Sequence, residues 1–156
     1  MTYSKRFSSK FFAKLLQPEG RNPQRDRASS LSIVFELLDQ KEDKNFLIVE
    51  TGCMRADHGQ LALGDDGAST YIFDDFINYY DGEVLSVDIN QDNVNHATAM
   101  TSDKTKVTCS DSVKYLWSLP EDKKIDFLYI QPDTSFMNNN GKTRERVVRN
   151  ILQEFA

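Results

Sequence analysis

The chain has 156 residues, enough for one domain with a real hydrophobic core and too few for two ordinary ones. With 39% hydrophobic and 28% charged residues and no apolar run approaching a bilayer span, its composition is that of a soluble globular protein and excludes a transmembrane helix. The net charge of −5 is uneven: residues 1–27 hold seven basic and two acidic side chains, while the remainder holds twelve basic and twenty-two acidic.

The acidic main body argues against nucleic acid as a partner of the whole surface. Only the basic leader offers a polyanion or a membrane surface a local contact. Cys53 and Cys109 are two isolated thiols, with no disulfide framework, no zinc spacing and no secretory segment. That pattern predicts a reducing, cytoplasmic compartment and no metal site.

In chain order, "SKRFSSKFFAKLLQ" places Phe7, Phe11, Phe12, Leu15 and Leu16 on one helical stripe, with Lys and Ser elsewhere. It predicts an N-terminal helix packed on or near the domain, with a membrane-surface helix or an organelle presequence as alternatives. "QPEGRNPQ" then reads as a linker, dividing residues 1–24 from a domain over 25–156. "LSIVFELL" belongs to a helix over 26–40. "NFLIVE", "EVLSVD", "KVTCS" and "IDFLYI" predict strands over 45–50, 84–88, 106–109 and 126–130. Between and after them, helices are predicted over 68–80, 91–101, 111–118 and 142–154. The alternation implies an α/β fold, a doubly wound parallel sheet with helices on both faces.

In such sheets ligands bind beyond the carboxyl ends of the strands. The first strand ends at Glu50, followed by Gly52, where the absence of a Cβ admits a ligand to the backbone. The second ends at Asp88, whose two oxygens match a vicinal diol. The third leads into Asp111 and Ser112 at the start of a helix. Ser69 and Thr70 read as caps of the helix after strand one. Together these residues describe a nucleoside-binding crevice. The dinucleotide fingerprint G-x-G-x-x-G fails at Cys53-Met54-Arg55, and "GKT" at 141–143 lacks a P-loop, because Phe136 stands where its first glycine belongs.

The ordered set "VETGCMR…GDDGAST…VLSVDIN…CSDSV…IDFLYI" resembles the cofactor-binding half of class I S-adenosylmethionine-dependent methyltransferases, in their O-methyltransferase-like branch. The likeness covers roughly residues 45–130 and implies a Rossmann-like sheet of order 3-2-1-4, whose fourth strand would be a bare edge through which the chain could self-associate. It implies S-adenosyl-L-methionine as cofactor and a small molecule or sugar as methyl acceptor. It also implies a role for each matching residue. Glu50 and Gly52 would lie at the methionine end, and Gly67, Ser69 and Thr70 at the helix that closes over it. Asp88 would hold the ribose with Ile89 beside the adenine, and Asp111 and Ser112 would address the adenine amino group. Two features depart from the family: Gln131 stands where an acid is usual, with Asp133 two places late, and the sequence stops short of a seven-stranded sheet. It therefore reads as a cofactor-binding half, with a non-catalytic nucleoside-binding or interaction module as the alternative. Duller roles stand beside these: Asp88 as a helix cap, Asp111 and Ser112 as an N-cap only, and Glu50 in a surface pair with Arg55. The catalytic base is not identified by the motifs; His58 and Asp133 are weak candidates, and His96 reads as structural. Tyr79, Tyr80 and Trp117 read as helix-to-sheet packing.

Overall fold

The computed structural model describes residues 1–15, 27–55 and 68–131. Leu16, His58, Gly67, Asp133 and the helix predicted over 142–154 lie outside the described residues. Four strands, β1 (Asn45–Thr51), β2 (Asp81–Asp88), β3 (Thr105–Cys109) and β4 (Phe127–Ile130), form an all-parallel sheet in the order β3-β2-β1-β4. The sheet has the α/β arrangement that the alternating pattern predicts and the Rossmann-like order that the resemblance implies.

The helices are α1 (Tyr3–Phe7), α2 (Ala13–Leu15), α3 (Arg27–Asp39), α4 (Ser69–Tyr79), α5 (Gln91–Met100) and α6 (Ser112–Ser118). A π-helical segment, Ser8–Phe12, joins α1 to α2. The buried stripe of this N-terminal helix is Tyr3, Phe7, Phe11 and Leu15, one residue in four. On a regular α-helix such a stripe would drift by about 40° per step. The wider π turn takes up that drift and keeps the aromatic rings on the core. Among the described residues this stripe is packed into the core. Two carboxylates hold it in place. Asp39 accepts from the backbone N–H groups of Tyr3 (3.1 Å) and Ser4 (2.8 Å) at the helix start. Asp75 on α4 takes the Tyr3 hydroxyl at 3.1 Å, Arg6 at 2.8 Å and Lys10 at 2.6 Å.

Alternation along β1 divides the core between two faces. Phe46 and Ile48 face a large cluster with Tyr3, Phe7, Phe35, Phe73 and Phe76 from α1, α3 and α4, which Ala97 of α5 joins. Leu47 and Val49 face a smaller cluster with Leu85 and Leu116, the latter from α6. Crossovers to β2 and β3 thus cover one face, and the crossover to β4 covers the other. Beside β1 the chain switches direction, so the loops after β1 and β4 leave in opposite senses.

Two sequence expectations are corrected by packing. Strand β2 begins at Asp81 rather than 84, because its polar start pairs Asn45↔Asp81 and Phe46↔Gly82 with β1. Gly82 (φ +117°) lies so close to β1 that a Cβ there would be 1.9 Å from the Phe46 carbonyl oxygen. Trp117 is 66% exposed, since α6 turns Leu116 rather than its neighbour toward the sheet. Tyr80 packs against Phe46 of β1 as expected, whereas the ring contact of Tyr79 is with Tyr3 of the N-terminal helix. Among the described residues no helix is long and apolar enough to cross a membrane.

Candidate functional site

The carboxyl ends of β1 and β2 are laced together by side chains. Glu50 is the last residue of β1 on the α4-covered face, and it is wholly buried. Register places it directly between Ser86 on β2 and Tyr129 on β4. Its Oε2 accepts from Thr70 Oγ1 and Ser86 Oγ, both at 2.7 Å, and its Oε1 accepts from Ser69 Oγ. Burial pushes the Glu50 carboxyl up to about 7, although these three hydroxyls favour the ionised form; the nearby Asp88 charge raises it further. A surface pair with Arg55 is thereby excluded. The same geometry reassigns Ser69 and Thr70: Ala68, at φ +35°, occupies the cap position of α4, and the two hydroxyls turn inward to Glu50. Thr70 Oγ1 also accepts from the Met54 N–H at 2.9 Å, which pins the loop leaving β1.

Gly52 adopts φ +81° and donates its N–H to the Val87 carbonyl at 2.7 Å. A residue with a Cβ would be strained there, and its Cβ would lie 3.1 Å from that of Gln131. Gln131, the residue after β4, donates its backbone N–H to the Thr51 carbonyl at 2.9 Å and its side-chain amide to Ser69 Oγ at 3.2 Å. The end of β4 is therefore drawn against the β1 turn, at the switch point of the sheet.

Asp88 ends β2 half-buried. Its Oδ2 accepts from the Cys53 N–H at 3.2 Å and, at the limit of 3.5 Å, from the Asn93 amide. Its Oδ1 accepts from the Asn90 N–H at 2.8 Å. The cap of α5 is Asn90 and not Asp88, so the capping role for Asp88 is set aside. A carboxylate offers about four acceptor positions, and among the described residues Oδ1 has the Asn90 N–H as its one hydrogen-bond donor. Ile89 next to it is 70% exposed. The ladder pairs Asp88 with Cys109, and Ser110 N–H donates to the Asp88 carbonyl at 3.0 Å, which brings the start of α6 alongside. Asp111 caps α6 by accepting from the Lys114 N–H at 2.9 Å, with Ser112 as its first helical residue. Cys53 is buried, and burial together with the Asp88 and Glu50 charges pushes its thiol well above the usual range, so it is no nucleophile at neutral pH.

Of the cofactor-site residues the motifs single out, Gly52, Asp88, Ile89, Asp111 and Ser112 come together along one end of the sheet. Glu50, Ser69 and Thr70 form a buried layer directly behind. Gly67 and the catalytic candidates His58 and Asp133 lie outside the described residues. Sequence reasoning missed Ser86 as a partner of Glu50. Its signal was a lone hydroxyl inside the apolar run "EVLSVD", where a buried polar group must find a hydrogen bond.

A concavity of about 410 Å³ opens at the opposite end of the sheet among Asn45, Asp81, Gly82, Glu83, Asp103, Lys104 and Lys106. Its charges pair with one another, Lys104 with Asp81 at 3.1 Å and Lys106 with Glu83 at 3.3 Å. It lies at the amino ends of the strands, where sheets of this topology do not place their ligands.

Comparison with known proteins returns no match among family models, curated proteins or solved structures.

Proposed function

We infer that the crevice over β1, β2 and β3 holds the nucleoside of an S-adenosylmethionine-type cofactor, and that the domain serves methyl transfer to oxygen of a small molecule or sugar. The observation that carries this reading is the row of three different strand ends: bare backbone at Gly52, a carboxylate at Asp88 beside exposed Ile89, and a second carboxylate at Asp111. Each suits one part of an adenosine. A ribose hydroxyl needs an acceptor, and with Oδ2 engaged by Cys53 and Asn93 the remaining position on Asp88 Oδ1 suits one of them. The flat face of a purine needs an apolar neighbour, which Ile89 offers, and its amino group needs an acceptor, which Asp111 offers. Gly52 lets the chain beyond the ribose approach the main chain closely.

When bound, such a cofactor supplies a methyl group activated on a sulfonium. The residues described here bind and orient; a base to receive the acceptor proton is not among them. Holding the reacting groups in line is the protein's chief contribution to such a reaction.

A specific observation supports a second reading, a nucleoside-binding module without turnover. Gln131 puts a neutral amide where the resembling enzymes use an acid, and an amide takes no proton and brings no negative charge to a metal.

Titration calorimetry with S-adenosylhomocysteine tests the binding reading. Wild type is expected to bind, and Asp88→Ala to bind more weakly by about 1–3 kcal/mol, the cost of unmatched polar groups. Asp88→Asn, which keeps one carbonyl oxygen, should fall between them. Absence of binding by wild type, or equal binding by the alanine variant, refutes it. Transfer of radiolabelled methyl to a panel of hydroxylated acceptors then separates the enzyme from the binding module.

A further inference from the structure

We propose that Glu50 is a proton-operated latch on the crevice: protonated, it holds the first turn of α4 and the loop leaving β1 at Met54 closed against the sheet, and ionised, it lets them open. The latch goes beyond the nucleoside assignment and stands whichever ligand the crevice takes. One side of it is fixed. Glu50 lies in an internal strand opposite Ser86, and Ser86 is held in turn between β1 and β3, opposite Val107. That side moves only if the sheet breaks. The other side is Ser69 and Thr70, in the first turn of α4. This turn starts at Ala68 with φ +35° and no side-chain cap, so the ties to Glu50 hold it where a cap otherwise would. Thr70 Oγ1 passes the tie on to the Met54 N–H at 2.9 Å, so the loop closes with the helix.

The groups that face the carboxyl are neutral or acidic. Ser69 and Thr70 of α4 and Ser86 of β2 bring hydroxyls. Strand β2 also brings Asp88, the loop leaving β1 brings Cys53, and β4 brings Tyr129 as the ladder partner. Asp74, one turn further along α4, is taken by Ser102 and Thr105. Among the described residues no cation is paired with Glu50. A hydroxyl both donates and accepts, so the three of them satisfy the carboxyl with or without its proton. What the proton changes is the buried charge. Burial holds the carboxyl at about 7, against 4.5 for the unperturbed group, so an opening that hydrates Glu50 releases a proton. The closed-state value is the raised one. Closure is therefore fully favoured below 4.5 and loses ground as pH rises through 7. The ladder keeps β1 and β2 together, and the start of α4 yields first, taking Met54 with it.

Amide hydrogen exchange of the full chain, followed by NMR, reads the latch at the Met54 N–H. Amides in the middle of β1 measure global unfolding in the same sample. After division by the intrinsic base-catalysed rate, opening at Met54 should rise about fortyfold from pH 5 to pH 7 and about twofold more by pH 8. It should exceed opening at the β1 amides by about tenfold or more and stay unmoved by low urea, as local opening does. In Glu50→Gln, opening at Met54 should be level across the same range. A rise that persists in Glu50→Gln overturns the proposal, since another group then drives it. Level opening in wild type also overturns it, as does Met54 exchange that matches the β1 amides and grows with urea. The carboxyl-carbon shift of Glu50 in isotope-labelled wild type needs no variant to fold and should titrate at about 7. A midpoint at the unperturbed 4.5 overturns the proposal as well.

Discussion

Replacing Glu50 by glutamine should change how stability depends on pH far more than it changes the structure. The carboxyl titrates near 7 in the folded chain, against 4.5 for the unperturbed group. Because the folded value is raised, its contribution is fully present below 4.5 and is lost as pH rises through 7. At 1.36 kcal/mol per unit, the shift corresponds to about 3 kcal/mol lost by wild type across that window. Glutamine has the same shape and no charge, and with its NH2 in the place of Oε2 the Ser86 and Thr70 hydroxyls can both rotate to accept its two N–H groups. The stability of Glu50→Gln relative to wild type should therefore rise by about 3 kcal/mol between pH 4.5 and pH 8. The depressed carboxylates Asp39, Asp75, Asp81 and Glu83 act in the opposite sense, their stabilisation being lost as pH falls. They are common to both proteins and cancel in the difference. Urea unfolding followed by far-ultraviolet circular dichroism measures it, since exposed Trp117 is a poor reporter of folding. A difference that stays flat from pH 4.5 to 8 would refute the account of Glu50 as a desolvated carboxyl.

Three further outcomes are expected. Gly82→Ala should destabilise by about 2–4 kcal/mol in the same urea assay, because the new Cβ meets β1 backbone that cannot move aside and the positive φ is strained; unchanged stability would refute the register drawn for β1 and β2. Tyr3→Ala should cost about 3–5 kcal/mol, since it removes a fully buried ring that packs on Phe35 and Phe76; a loss under 1 kcal/mol (roughly the scale of a surface change) would show that the N-terminal helix is dispensable. His96→Leu should be neutral or stabilising by up to about 1 kcal/mol, because its Nε2 is buried with no hydrogen-bond partner among the described residues; a marked loss of thermal stability would count against that.

Local pattern made the α/β class legible. Apolar runs ended by turn residues mark β1, β2 and β4, and the alternating helices require parallel crossovers, while the 3-2-1-4 order that the structure shows was expected from the motif resemblance and not from the alternation. The helix bounds over 27–39, 69–79 and 91–100 lie within two residues of expectation, because periodicity and capping are properties of neighbouring residues. Asp88 and Gly52 were legible for the same reason, each being a characteristic residue at a strand end. Which groups meet across the sheet was not legible. That Glu50 is sealed in behind Ser69, Thr70 and Ser86 depends on the register Glu50↔Ser86, a pairing of residues 36 apart. That Gln131 lies on Gly52 depends on β4 returning to the free side of β1. No periodicity records such meetings, since they arise only when distant segments are packed together and each buried polar atom must take the partner the fold brings to it.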